Sequence, residues 1–454
     1  MIAIKTAYFI GVGGIGMSAV ARYLHHNGVT VSGYDRDDTP LIRELISEGI
    51  TVYDYEDVEH VRGTIDMVIY TPAIPESHIE LSYCREHKLP LYKRSEALKI
   101  ILADQQVIAV AGTHGKTSTS AILSHLLYDA EVPMTGFVGG IIKGYESNFL
   151  HTGNDWVVVE ADEYDRSFLR LFPTIAIIQA MDADHLDIYG DRQALIDSFK
   201  QFTLQIQSGG SLWVRDDIND FWENVTWLDE LKDHGISVNS FGYGEGTLSY
   251  GSHAMTCDRG RMSFSFGEDA ASGQIDLPGL HNLYNTTAAL AVSSSIGVSD
   301  EVLAEGLSSF EGIRRRYDIV YRSEALVVID DYAHHPAEIT AAINATRDNF
   351  PNNRLSVVFQ PHLFSRTYDF HEEFAQSLDA ADEVTLLPIY PARELPREGV
   401  TSALIYDLMT LDHRSIKTMS EWIENWDKQR YEVLLMLGAG DISKLIPKIL
   451  NMLQ

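Results

Sequence analysis

The chain is poor in cysteine. Among its 454 residues only Cys84 and Cys257 occur, too few for a disulfide framework and too far apart for a metal-ligand pair. It is also short of positive charge: 35 Lys and Arg stand against 65 Asp and Glu, a net charge of −30. A general nucleic-acid binder needs a basic face to meet phosphate, so that class is excluded. Small phosphorylated ligands are not, because helix N-termini and backbone N–H groups supply local positive potential. No apolar run approaches the roughly 18 residues of a membrane span. The opening MIAIKTAYFIGVGG leads directly into a strand and a glycine loop, without a separate apolar region and cleavage site, so no signal peptide is read. Short-period repeats and low-complexity tracts are missing too. The expectation is a cytoplasmic protein with reduced thiols, no membrane and no nucleic-acid partner.

What is present is a long, well-mixed chain, 45% hydrophobic. Its length suggests two to four domains of roughly 100–200 residues each, and the pattern divides into three α/β units. In residues 1–103, Thr6–Ile10, Val29–Tyr34 and Met67–Thr71 read as strands, with a helix at Met17–His26. Strands alternating with helices predict a parallel, doubly wound sheet. Residues 104–317 open on the strand Val107–Ala111 and continue with Trp156–Glu160 and Thr174–Gln179. The stretch Gly242–Gly273, rich in Gly, Ser and Tyr, reads as short antiparallel strands and turns. In residues 318–454, strands are expected at Ala325–Asp330, Arg354–Phe359, Glu383–Leu387 and Val433–Leu437, with helices at Ala337–Asn349 and Ile442–Met452.

The sharpest chemical signal is Gly112-Thr113-His114-Gly115-Lys116-Thr117-Ser118, directly after an apolar strand. A strand–loop–helix of this kind aims backbone N–H groups at a polyphosphate. Lys116 reaches the terminal phosphates, and the Thr117 hydroxyl helps hold Mg²⁺. The slot for the first glycine of the usual phosphate-loop pattern falls on Val110 or Ala111, so the loop is a variant. A plain glycine turn capping a helix is the alternative. The run Val157-Val158-Val159-Glu160-Ala161-Asp162-Glu163 ends an apolar strand in carboxylates at the sheet edge where ligands bind. Glu160 is the candidate magnesium ligand, although solvated strand ends look the same. Asp182-Ala183-Asp184-His185-Leu186-Asp187 places a histidine among acids after the next strand, where it is either structural or a metal and catalytic group. The first loop, Gly11-Val12-Gly13-Gly14-Ile15-Gly16 with Asp35 after the second strand, fits a dinucleotide-type fingerprint and would serve NAD, FAD or a UDP-sugar equally well.

Further motifs are LPGLHNLYN with Asn282 and Asn285, GIRRRY with Arg316, DDYAHHP with Asp331 and His335, and PHLFSRT with Arg366. Asn can pair with an adenine edge, and Arg can neutralise a phosphoryl group in transfer. Each motif alone could be structural. Falling after successive strands, they point to one shared cleft.

Together GTHGKT, EADE, DHLD, LPGLHN, DDYAHHP and PHLFSRT resemble the muramyl (Mur) ligases, in order and along nearly the whole chain. The resemblance implies a Rossmann-like UDP-sugar domain, a central ATPase domain and a Rossmann-like C-terminal domain for the incoming amino acid. The implied substrates are UDP-N-acetylmuramate, ATP and an amino acid, and the implied reaction is amide-bond formation through an acyl phosphate in peptidoglycan precursor synthesis. It further implies catalytic roles for Lys116, His185 and Arg316, and Mg²⁺ held by Thr117, Glu160 and His185. Nucleotide contacts would come from residues 112–118 with Asn282, Asn285 and Asp331. Sugar contacts would come from Gly11, Gly13, Gly14, Gly16 and Asp35, and amino-acid contacts from His335 and Arg366. Within the family the branch that adds L-alanine is the nearer match through GVGGIGMS. Later branches carry a carbamylated lysine in the slot held here by Phe199, with Lys200 one residue, and so about 100° of helix, away. Leu363 and Tyr368 stand where the alanine-adding branch often has arginine, so glycine and L-serine stay open as acceptors. The alternative is the recycling branch, which adds a peptide to the same sugar. The expected state is a monomer or homodimer.

Other classes fit less of the chain. A nicotinamide dehydrogenase would use Gly11–Gly16 and leave Gly112–Ser118 without purpose. A folylpolyglutamate-type ligase would lack the first unit. A nucleotide sensor would not need carboxylate, histidine and arginine groups drawn from three units.

Overall fold

The computed structural model describes residues 4–182, 189–243, 250–258, 261–266, 271–392 and 394–453. Three sheets follow one another along the chain. The first contains β1 (Thr6–Ile10), β2 (Thr30–Tyr34), β3 (Thr51–Tyr53), β4 (Met67–Tyr70) and β5 (Leu91–Lys93), in the order β3-β2-β1-β4-β5. All its pairings are parallel. The strand order reverses at β1, so the loops after β1 and β4 open side by side at the carboxyl edge, where a doubly wound sheet takes its ligand. Helix α1 (Ile15–His26) starts two residues earlier than the sequence pattern suggests, with Gly14 as its extended N-cap.

The second sheet contains β6 (Gln106–Ala111), β7 (Met134–Ile142), β8 (Ser147–His151), β9 (Trp156–Ala161), β10 (Ile175–Ile178), β11 (Ser211–Arg215) and β12 (Ser237–Tyr243). It continues with β13 (Tyr250–Asp258), β14 (Arg261–Phe266) and β15 (Ala271–Ile275). The order is β15-β14-β13-β12-β11-β10-β6-β9-β7-β8. Its centre is parallel and nearly unbroken in apolar residues, as strands covered on both faces require. Antiparallel pairs lie at the two ends, β7 with β8 at one, and β13 with β14 and β14 with β15 at the other. The described parts of the Gly/Ser/Tyr-rich stretch therefore contribute the antiparallel edge expected of it. Helix α2 (Lys116–Asp129) follows β6, and α3 (Leu280–Ser295) packs against α2.

The third sheet contains β16 (Asp318–Arg322), β17 (Val327–Asp331), β18 (Leu355–Phe359), β19 (Glu383–Leu386), β20 (Arg414–Ile416) and β21 (Val433–Leu437), ordered β16-β17-β21-β18-β19-β20. Only β16 runs antiparallel among its described pairings. Helix α4 (Pro336–Asn349) follows β17, and the short α5 (Phe364–Asp369) follows β18. The expected helix from Ile442 is split: a 3-10 turn, Asp441–Lys444, precedes α6 (Leu445–Leu453). Pro447 stands in the first turn of α6, where no backbone N–H is needed and its ring fits.

The first two sheets share one apolar core, which runs from Phe9 and Leu24 to Val159 and Phe202. Helix α1 is its bridge, laid against β7 and β8 with Tyr23 and Phe137 at a ring separation of 5.4 Å. The third sheet has its own core on each face. No helix among the described residues is long and apolar enough to cross a membrane.

Candidate active site

The loop after β6 is shaped by two glycines at positive φ whose would-be Cβ atoms meet close neighbours. Gly112 has φ +137°, and a Cβ there would meet the backbone nitrogen of Ala180 at 2.8 Å. Gly115, the left-handed N-cap of α2 at φ +85°, would drive a Cβ to 2.4 Å from Asn285 Oδ1. The N-terminus of α2 is thereby aimed across the sheet edge, as phosphate binding requires. Lys116 Nζ folds back to donate to the Gly112 carbonyl at 2.7 Å and to Glu163 at 2.7 and 3.0 Å. Burial pulls the lysine pKa down. The attraction of Glu163, Asp162 and Glu160 more than offsets it, so the ammonium is held above its ordinary value. Burial pushes the Glu163 carboxyl up, against the pull of Lys116.

Beside this pair the Thr117 hydroxyl donates to Glu160 Oε2 at 3.3 Å. Glu160 Oε1 accepts from the Gly139 N–H at 2.6 Å and the Ser120 hydroxyl at 3.2 Å. Arg316, from the connection into the third unit, donates to the Thr117 hydroxyl at 3.4 Å. Thr117 and Glu160 are thus two hard oxygen donors side by side next to a phosphate loop, a set that suits Mg²⁺, which takes one or two protein oxygens with phosphate and water completing its shell. His185, the third expected ligand and a candidate catalytic residue, lies outside the described residues. Among the described residues no group of three or more His, Cys, Asp and Glu could hold a metal alone.

Two cavities meet here. The smaller, about 330 Å³, is lined by residues 113–118, Gln179, Asn282, Asn285, Arg316, Asp331 and Glu338, among others. Asn285 donates to Asn282 Oδ1 at 3.2 Å and accepts from Thr119, while Asn282 donates to the Pro278 carbonyl. The two amides form a fixed wall one turn apart on α3. Asp331 accepts from the N–H groups of Tyr317 and Ala333 at 2.6 and 2.7 Å. Burial pushes its carboxyl up to about 6 against the pull of Arg316. The larger cavity, about 1300 Å³, is a cleft between all three units. Its walls carry Gly14, Gly16 and Arg94 from the first, Lys116, Thr117, Lys143 and Glu160 from the second, and Asp318, Tyr332 and His334 from the third.

Family models cover this architecture end to end. The Mur ligase family catalytic domain matches residues 6–106, the Mur ligase middle domain residues 110–293, and the Mur ligase glutamate ligase domain residues 315–448. The chain belongs to the Mur ligase family. It is 42% identical to a UDP-N-acetylmuramate–L-alanine ligase of Flavobacterium psychrophilum, over 98% of this chain and 97% of that one. To the protein of the same name in Cytophaga hutchinsonii it is 40% identical, over 98% and 96%. Among solved structures, UDP-N-acetylmuramate-alanine ligase from Thermotoga maritima superposes with a TM-score of 0.80 at 27% identity, covering 99% of both chains. A murein peptide ligase from Psychrobacter arcticus shares the fold, with a TM-score of 0.70 at 21% identity over 99% and 98%.

Not every residue expected of this Mur ligase's site reaches the cleft wall. Gly14 and Gly16 line it, but Gly11, Gly13 and Asp35 do not. Asp35 turns inward and accepts from the Gly13 N–H at 2.8 Å, so its carboxylate shapes the loop from behind. In the third unit His335 caps α4 and packs on Phe370. Its neighbour His334 is the one that lines both cavities. Arg366 lines neither cavity but is near enough for its charge to weigh on His334, whose ring burial pushes down to about 4 against the pull of Glu338. Phe199 is fully buried and Lys200 pairs with Glu230 at 2.8 Å, away from the phosphate loop.

Sequence reasoning missed Glu163, Lys143, His334 and Glu338. Glu163 and His334 sat inside motifs already singled out, Glu163 three residues after the one chosen and His334 directly before it. Lys143 and Glu338 carry no motif signal, and only the packing of units places them. Lys143 pairs with Asp318 at 2.8 Å across the second and third units.

Proposed function

We infer that this Mur ligase joins L-alanine to UDP-N-acetylmuramate, splitting ATP to ADP and phosphate, in peptidoglycan precursor synthesis. The observation that carries the reading is convergence: Lys116, Thr117 with Glu160, and Arg316 meet where the nucleotide cavity opens into the three-unit cleft. A carboxylate is a poor acyl donor. Its oxygen attacks the γ-phosphorus of ATP, the β–γ bridging oxygen leaves with ADP, and an acyl phosphate results. The amine nitrogen of L-alanine then attacks the acyl carbon, phosphate departs, and the nitrogen loses its proton. Such phosphoryl transfer depends mainly on positioning and charge.

The chain's own groups have distinct tasks. The N–H groups of residues 112–118 cradle phosphate. The Lys116 ammonium leaves Glu163 for the terminal phosphates, and the Arg316 guanidinium covers the transferring oxygens. Asn282 and Asn285 face the adenine side, and Asp331 the ribose side. Thr117 and Glu160, with His185, would hold Mg²⁺, which supplies further positive charge to the phosphate oxygens. The loop at Gly11–Gly16 takes the UDP-sugar, with Asp35 holding that loop in shape through Gly13, and His334, with His335 and Arg366 around it, serves the amino-acid side. The working division is residues 1–103 for the UDP-sugar, 104–317 for ATP and 318–454 for the amino acid. The protein works in the cytoplasm as a monomer or homodimer. Three substrates on three units, with a water-sensitive acyl phosphate between them, require the cleft to close during turnover.

The test is phosphate release from ATP and Mg²⁺ with UDP-N-acetylmuramate, comparing L-alanine, glycine, L-serine and a cell-wall tripeptide. Release that needs both the sugar and L-alanine is expected. Release with glycine or L-serine in preference would change the acceptor, and release with the tripeptide alone would move the protein to the recycling branch. No release with any of them would sink the ligase assignment.

A further inference from the structure

One carboxylate ties the phosphate loop to the third unit. Glu338 lies in the first turn of α4, and His114 in the loop before α2. His114 Nδ1 is 3.3 Å from Glu338 Oε1, and its Nε2 is 3.8 Å from Asp182. The other oxygen of Glu338 accepts from the backbone N–H groups of His334 and His335 at 3.0 and 3.3 Å. It also lies 3.2 Å from His334 Nδ1, which in turn is 3.1 Å from the Tyr332 carbonyl.

A carboxylate and a carbonyl only accept, so Nδ1 carries the proton in both histidines. In the neutral ring of His334, Nε2 is then an acceptor. Capping accounts for Oε2 alone, since a capping box needs one side-chain oxygen returned to the N-cap N–H. Oε1 has no local task. It reaches another unit, across the wall of the nucleotide cavity.

We propose that Glu338 is a positioning residue for ligation: Oε1 holds His114 while Oε2 holds His334, so the phosphate loop and the 331–338 segment adopt their working arrangement together. Nucleotide seated in the loop is thereby coupled to the amino-acid side of the cleft, because His334 lines both cavities. The coupling is reciprocal, as linkage requires.

The proposal rests on the ligase reading only for its turnover readout. The full chain is compared with Glu338→Gln, His114→Ala and the double variant, using ADP affinity by calorimetry and kcat/KM for ATP in phosphate release. Glutamine still caps a helix but loses the charge-assisted contact. A Tm near that of the unaltered chain is therefore expected for E338Q, together with a loss of about tenfold in ADP affinity and kcat/KM. Affinity for UDP-N-acetylmuramate, bound by the first unit, should stay unchanged. In the His114→Ala background, adding E338Q should cost less than about twofold, because both changes break one contact. Effects that multiply, or an E338Q variant with unaltered ADP affinity, would overturn the proposal. A chain that binds ADP but turns over none of the acceptors would fail the ligase reading, and calorimetry would still decide the role of Glu338.

Discussion

The ammonium of Lys116 lies 2.7 Å from a carboxylate oxygen of Glu163, whose side chain is wholly buried. The loop lysine thus rests on an internal anion, and nucleotide phosphate must draw it away. Lys116→Ala should abolish phosphate release, by about 10³-fold or more, and leave UDP-sugar binding by calorimetry within about twofold, since the first unit carries the sugar's contacts. A variant that ligates at near the normal rate would end the phosphate-loop assignment. There is also a pH signature. Without Lys116, burial leaves Glu163 with a folded pKa above its unfolded value. The folded state then holds a proton that the unfolded chain has lost, and stability falls as pH rises through that window. The Tm deficit of Lys116→Ala should be larger at pH 8 than at pH 5.5.

Gly115 offers a paired test of backbone against space. At φ +85°, an added Cβ would lie 2.4 Å from Asn285 Oδ1, so alanine must distort both the loop and the wall formed by Asn282 and Asn285. Gly28, at φ +81°, has nothing among the described residues within 4 Å of its would-be Cβ. Gly28→Ala should cost about 1 kcal/mol of stability from strain alone and keep full activity. Gly115→Ala should lose nucleotide binding by at least about tenfold. Equal behaviour of the two in nucleotide calorimetry would mean that the loop tolerates a shift of Asn285.

The contrast between Glu160 and Glu338 shows what was legible in the sequence. Glu160 announces itself: an unbroken apolar run, buried throughout Val157–Val159, ends in acids, and strand-end acids in an α/β sheet face the ligand edge. The same logic located β6, β9, β17 and the glycine loops, because local patterning and local chemistry coincide there. Glu338 reads as an ordinary helix-cap acid, and its second oxygen matters only once the third unit docks beside His114. Asp35 and His335 fail in the opposite way. Their motif positions match the expectation, but rotamer and packing turn Asp35 onto Gly13 and His335 onto Phe370. Sequence spacing places a residue at a strand end and does not say which of two adjacent side chains enters the cleft.

Arg22 fixes the first unit to the second. Its guanidinium is 2% exposed and donates to Glu48 at 2.8 Å, to Glu44 at 3.1 Å and to Asn148. Asn148, itself fully buried, donates in turn to Ser18 at 3.0 Å. Arg22→Ala strands the Asn148 carbonyl without a donor, while Glu44 and Glu48, more than a third exposed, can turn to water. The cost should be about 2–3 kcal/mol, below that of stranding a fully buried charge. Scanning calorimetry should show a lower and broader transition as the first unit loosens from the second. An unshifted, equally sharp transition would mean that the shared apolar core holds the two units unaided.

Asp330 gives the clearest pH prediction. It stands opposite Asp318 on adjacent antiparallel strands, is 4% exposed, and among the described residues its Oδ1 has no hydrogen-bond donor. Burial pushes its carboxyl up to about 7, Arg315 pulling the other way and the neighbouring Asp331 and Asp318 adding to the rise. In the unfolded chain an aspartate titrates near ~3.9. Between those values the folded state keeps a proton that the unfolded state has lost, so stability declines as pH rises from about 4 to about 7 and is level above. Asparagine mimics the protonated form and has no such window. Asp330→Asn should therefore match the unaltered chain near pH 3.5 and exceed it at pH 8 by up to about 4 kcal/mol. The quantity to follow is the Tm difference between variant and parent across that range, because other groups titrate equally in both. A constant difference would show that Asp330 stays charged in the fold, with Arg315 close enough to hold it so.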